Sequence, residues 1–293
     1  KNQNTKAKGE FIKLSEFRGH QNQAPKTLEA INNPNCGWRF QASTEDFESI
    51  PGNPIAYWVT KSQLGLFHHE PLEQYAQFKE GLTTANNDLF LRFWSEVDYT
   101  KITFSATESN PDLYWVPYNK GGSFRKWYGN NFFVIDWRIN GSKIREYPGT
   151  SFRNPSYHFR RGATFSALTS GAFAARFSGV GFAFDSKGTM FFSESKLEHI
   201  LLYLNSKIFS ELVSLVSPTL DYRFGTIQKL PLLNISSKDF NNLIEIAKDD
   251  WDSFETSWDF KRLQIVDCAL SNETNSVEEC WKNWKNLCDE RIT

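Results

Sequence analysis

The apolar positions change period near Ser193, and that change organises the whole chain. Upstream of it, short runs of β-branched and aromatic residues alternate with Gly, Asn and Pro. Leu113-Tyr114-Trp115-Val116, the run from Asn131 to Ile139, and Val180-Gly181-Phe182-Ala183-Phe184 each predict a strand. One helix is expected over 87–97, ahead of the first of them. Residues 1–70 carry heavier turn punctuation and read as a connector with about two strands, one of them Ile55-Ala56-Tyr57-Trp58-Val59. Downstream, Leu197, Leu201, Leu204, Ile208, Leu212 and Leu215 step by three or four along one helical face. Ser195 and Glu198 have the spacing of a capping box, and Pro218 sets the end of that helix. Helical patterns recur over 237–250, 257–269 and 276–290. The pattern therefore predicts an α+β chain, with a strand-rich domain over 71–193 and a mainly helical region over 194–293.

Composition narrows the class. With 293 residues, 40% hydrophobic and 23% charged, the chain can bury a sizeable core and is not of disordered type. A net charge of −1 excludes a uniformly basic nucleic-acid binder. No apolar run approaches the ~18 residues of a membrane span, and the opening Lys1-Asn2-Gln3-Asn4-Thr5-Lys6 lacks a signal peptide's apolar stretch. A cytoplasmic protein without membrane contact is expected. Cys36, Cys268, Cys280 and Cys288 are too few and too scattered for a disulfide framework, so free thiols are expected. Met190 is the only Met, and a chain opening on Lys1 is expected to lack an upstream part.

Charge then sorts with the elements. Between Tyr118 and Ser178, ten basic residues face only Asp136 and Glu146, a local excess of +8. From Pro231 onward, thirteen acidic residues face seven basic ones, an excess of −6. Two segments concentrate the basic charge among aromatic rings. In Tyr118-Asn119-Lys120-Gly121-Gly122-Ser123-Phe124-Arg125-Lys126-Trp127-Tyr128-Gly129-Asn130, the glycines permit close backbone approach, the cations suit phosphate, and the rings suit bases. Arg153-Asn154-Pro155-Ser156-Tyr157-His158-Phe159-Arg160-Arg161 repeats the mixture. The candidate DNA-contacting residues are Lys120, Ser123, Arg125, Lys126, Trp127, Arg153, Asn154, Tyr157, Arg160, Arg161 and Arg223. Arg suits guanine and Asn suits adenine in a major groove, so Arg153, Asn154, Arg160 and Arg161 can specify as well as anchor. The bland reading of each segment is a hairpin whose rings pack inward while its cations meet water.

Catalytic chemistry is thin. Asn154-Pro155-Ser156-Tyr157 approximates the Asn-Pro-Pro-Tyr box of adenine-amino methyltransferases, with Ser in place of the second Pro and no methyl-donor glycine loop upstream of it. His68-His69-Glu70 are sequence neighbours and cannot share one face around a metal. Ser166, Ser170 and Ser178 lack a nucleophile elbow, and no phosphate-binding glycine loop occurs. An independent hydrolase has only His68, His69 and stray carboxylates behind it. A carbohydrate- or peptide-binding module would instead set Trp115, Trp127, Tyr128 and Trp137 on one exposed platform.

Several segments together resemble the C-terminal half of the PglX family, the adenine-specific DNA methyltransferases of BREX phage-defence systems, and more distantly single-chain restriction-modification enzymes. The residues that carry the resemblance begin with Gly81-Leu82-Thr83-Thr84-Ala85-Asn86-Asn87, Phe90 and Trp94, then the run from Tyr118 to Asn130. They continue through Leu204-Asn205-Ser206-Lys207, Pro218-Thr219-Leu220, Gly225-Thr226-Ile227, Leu230-Pro231 and Asp252 to Phe260. The resemblance implies a target-recognition domain over 71–193 followed by a helical spacer. It also implies that S-adenosylmethionine and the catalytic box belong to an N-terminal methyltransferase domain outside this chain, with no cofactor held here. Double-stranded DNA is the implied partner, beside that N-terminal domain and other proteins of the defence complex.

Overall fold

A computed structural model describes residues 4–292 apart from 111, 170, 218–220, 236–239 and 272–275. Pro218 itself and the Ser170 hydroxyl fall outside the described residues, but the helix expected to stop before Pro218 ends at Val216. The fold is α+β.

The N-terminal stretch forms an antiparallel ribbon of β1 (Lys8–Ile12) and β2 (Arg39–Ser43), with α1 (His20–Asn32) between them. The helices α2 (Thr44–Glu48) and α3 (Lys61–Leu66) follow, each opened by a capping box, Ser43 with Asp46 and Thr60 with Gln63. Ile55 to Val59, expected as a strand, is instead a turn-containing connection after Pro54.

Two four-stranded sheets follow, and the chain passes between them. One has the order β3 (Gln77–Lys79), β10 (Met190–Phe192), β7 (Gly162–Phe165), β8 (Ala175–Ser178), all antiparallel. The other runs β4 (Leu91–Phe93), β6 (Phe133–Asp136), β5 (Trp115–Asn119), β9 (Ala183–Phe184), with only the β5–β9 pair parallel. The helix expected over 87–97 is a single turn, α4 (Asn87–Phe90), capped by the Asn86 side chain accepting from Leu89 N at 3.1 Å. It gives way at Leu91 because β4 pairs with β6, and sheet pairing overrides local helix propensity there. Between β6 and β7 lies α5 (Arg138–Glu146), with a kink at Ile139 to Gly141.

The helical part begins with α6 (Leu197–Leu204) and α7 (Lys207–Val216) rather than the one helix predicted. The break falls at Asn205, whose buried carboxamide accepts from Ala175 N at 3.0 Å and donates to Ala175 O at 2.9 Å on β8. Ser206 then caps the second helix. The proposed Ser195–Glu198 box does not form: Ser193 Oγ accepts from Lys196 N instead. The chain ends with α8 (Phe224–Ile227), α9 (Phe240–Asp252), α10 (Gln264–Leu270) and α11 (Val277–Ile292). The expectation of free thiols fails at one pair: α10 and α11 bring the Cα atoms of Cys268 and Cys280 to 5.7 Å, joined as a disulfide.

Two cores result. Phe165, Ala175 and Phe191 of the first sheet pack with Leu201, Phe209 and Val213 of the helices, so this core is shared across Ser193. Val116, Ile135 and Ala183 of the second sheet pack with Leu82, Phe90, Trp137 and Phe159.

Candidate nucleic-acid interface

The 118–130 segment links β5 to β6, yet it leaves its own sheet on the way. Trp127 N donates to Ala175 O at 3.0 Å and Phe177 N donates to Trp127 O at 2.7 Å, so Trp127 lies along the edge of β8 in the other sheet. Pairing an otherwise bare edge accounts for an aromatic here, and the Trp127 ring packs against the first core. Every candidate cation of this loop is engaged. Lys120 Nζ bonds Asp185 at 2.6 Å, a buried carboxylate that also accepts the Tyr118 hydroxyl at 2.9 Å. Burial and the Asp185 charge hold that phenol well above its ordinary value. Arg125 pairs with Asp250 at 3.0 Å and lies over the Trp251 ring of α9. Lys126 Nζ donates to Asn205 O at 2.7 Å, and burial, then the nearby Lys207, lowers its pKa. Gly129 admits this docking, since a Cβ there would stand 2.8 Å from the Trp251 ring at a backbone φ of +112°. Ser123 is exposed, its carbonyl accepting from Asn130 Nδ2 at 2.8 Å.

The 153–161 segment is built differently. Asn154 and Phe159 hold left-handed φ values of 47° and 68°, conformations that cost such residues ~1–3 kcal/mol each and persist only when surroundings fix them. The fixing contacts are present. Asn154 Nδ2 donates to Glu80 O at 2.8 Å, while Phe159 N donates to Phe182 O at 2.7 Å and its carbonyl accepts from Gly181 N. His158 is buried among the rings of Trp137, Phe152 and Phe184, and burial, with the Arg145 charge behind it, pushes its pKa down to about 3. Outward, Tyr157 bonds Gln77, its ring covered by Lys79 at 4.8 Å and Arg160 at 5.1 Å. Arg160 also lies over Phe192. Arg153 pairs with Glu80, and Arg161 pairs with Glu198, holding that carboxyl below its usual range.

Tyr157, Arg160 and Arg161 line a surface cleft of about 980 Å³, together with Glu73, Glu108 and Glu194. The 118–130 residues do not reach this cleft. Arg223 is exposed, pairs with Asp221, and shares a smaller cleft with Glu80 and Lys187. Sequence reasoning missed Lys79, Gln77 and Phe192, because their strands reach Tyr157 only through sheet pairing across distant parts of the chain. The rings required for one exposed platform are dispersed: Trp137 is buried in the second core and Trp127 packs on the first. Among the described residues no group of three His, Cys, Asp or Glu side chains could hold a metal ion. Nor is any helix among them long and apolar enough to cross a membrane.

No family model matches the chain. It is 37% identical over 302 aligned positions to the adenine-specific methyltransferase PglX of Lacticaseibacillus casei (strain Zhang), a match covering 97% of this chain and 25% of that protein. It is 34% identical over 253 positions to the adenine-specific methyltransferase BrxX of Escherichia coli O9:H4 (strain HS), covering 84% of this chain and 20% of that protein. The chain thus spans about a quarter of the length of the curated relatives it matches. With such identity along nearly all its residues, the chain belongs to the PglX family of adenine-specific methyltransferases.

Proposed function

We propose that this chain is the DNA target-recognition region, with its helical spacer, of a cytoplasmic, S-adenosylmethionine-dependent adenine-N6 DNA methyltransferase of a BREX phage-defence system. Residues 71–193 would carry recognition, 1–70 would connect to the methyltransferase domain, and 194–293 would serve as spacer and as a docking region for that domain or for other defence proteins. The observation that carries this reading is the similarity, along 97% of the chain, to a protein named for adenine-specific methyl transfer. The basic-aromatic segment that lines the cleft of about 980 Å³ supports it.

S-adenosylmethionine does not fit these residues. Phe177-Ser178-Gly179-Val180-Gly181 has the spacing of a methyl-donor glycine motif, but a Cβ at Gly181 would meet Phe104 O at 2.0 Å, so protein backbone already fills that turn. The preceding β8 is antiparallel to its neighbour and leads to β9, not to a helix whose N-terminus could face the donor.

The test is duplex-DNA binding by the full-length methyltransferase, measured between 50 and 200 mM salt. Affinity should fall steeply, with a log–log slope of ~0.9 per phosphate neutralised. Charge reversal at Arg153, Arg160 and Arg161 together should weaken binding. Undetectable binding of duplex DNA at low salt would refute the reading.

A further inference from the structure

We propose that Arg160 reads a base, donating its paired N–H groups to N7 and O6 of a guanine in the major groove. The proposal rests on the target-recognition reading above and assigns within it the residue that specifies.

Partner accounting points to this side chain first. Among the described residues from 118 to 178, Arg125, Arg138, Arg153 and Arg161 are each paired with a carboxylate. Arg145 donates to Asn140 O, and Arg176 is buried. Arg160 alone is an exposed guanidinium with neither a carboxylate nor a carbonyl partner. Its five donors remain available to a ligand.

The side chain is nevertheless held. Its guanidinium lies 5.1 Å from the Tyr157 ring centroid and 5.9 Å from that of Phe192. Tyr157 is in turn bonded by Gln77, and the backbone on either side is pinned at Asn154 and Phe159. A planar fork kept in one orientation over rings loses little entropy on binding, which suits a directional bidentate contact. The electrostatics decide between base and backbone. Glu73, Glu108 and Glu194 line the same cleft and would repel phosphates entering it. They do not oppose a base edge, and carboxylates can accept from cytosine N4. Guanine is the base whose two acceptors match an arginine fork.

The experiment is selection of duplexes from a randomised pool by the full-length methyltransferase, followed by sequencing of the bound fraction. Wild type should enrich a motif with a guanine column that Arg160→Ala and Arg160→Lys both lose, the preference there falling roughly 5- to 100-fold. Arg160→Lys should lose affinity for the guanine-bearing duplexes while keeping the salt dependence near wild type, because the charge is retained. A motif unchanged in both variants overturns the assignment. So does an affinity loss in Arg160→Ala that is equal across all sequences and restored by Lys, since that is phosphate contact. Failure of wild type to bind duplex DNA at all would remove the target-recognition reading itself, a result distinct from a bound pool with an unaltered motif.

Discussion

The two basic-aromatic loops have nearly the same composition and differ in how completely their cations are partnered. In 118–130 the charges hold the loop down: Lys120 on Asp185, Arg125 on Asp250, Lys126 on a helix-end carbonyl. In 153–161 Arg153 and Arg161 are likewise paired, with Glu80 and Glu198, but the Asn154 carboxamide, two backbone bonds and a neutral buried histidine also fix the loop, and Arg160 is left without a carboxylate partner. Arg160 therefore faces outward over Tyr157 and the cleft. A basic-aromatic run is thus not by itself a binding signal. What matters is whether the fold supplies those cations with acidic or carbonyl partners. Here the acidic helices supply them to the first loop through Asp250, so the polarity of the chain is partly spent on joining its own regions.

The comparison implies that damage to the anchor of the first loop costs most. Asn205→Ala removes the acceptor of the buried Ala175 N–H on the strand that Trp127 flanks, and leaves a cavity. The expected loss is about 3 kcal/mol, read as a lower denaturation midpoint at unchanged slope. The second loop should instead respond to acid. His158 stays neutral in the folded chain down to about pH 3 but protonates in the unfolded chain near its ordinary value, so this contribution is complete above pH ~6.5 and is lost as pH falls toward 3. Between pH 7 and pH 5 it amounts to about 2 kcal/mol. His158→Phe should flatten the pH dependence of the denaturation midpoint by that amount, and an unaltered slope would show that the loop is not held by an uncharged cage.

Much of the fold was legible because its periodicities are strong. The α+β division, the strands around Val116, Val134 and Ala183, and the C-terminal helices all follow from apolar spacing. What failed depended on distant partners. The apolar face from Leu197 to Leu215 is one stripe in sequence, and only the bond from Asn205 to β8 reveals the break. Cys268 and Cys280 looked unrelated until two helices folded back on each other. In the same way both loops read alike locally. Whether Lys126 meets solvent or the Asn205 carbonyl is decided by elements far along the chain.

The smaller predicted effects test the comparison most finely. Arg125→Ala removes a half-exposed ion pair and the stacking on Trp251, together worth about 1 kcal/mol, and the pair's share should shrink in 1 M salt. Arg160→Ala should change stability by less than ~0.5 kcal/mol at any salt, because it removes no ion pair and no backbone bond, and Tyr157 keeps its Gln77 and Lys79 contacts. The two variants delete the same guanidinium from loops of the same composition. Denaturation midpoints of both at low and high salt separate an arginine whose interactions are internal from one held ready for a partner. If Arg160→Ala proved as costly as Arg125→Ala, the second loop would be a structural clamp like the first, and its outward charge would need another explanation.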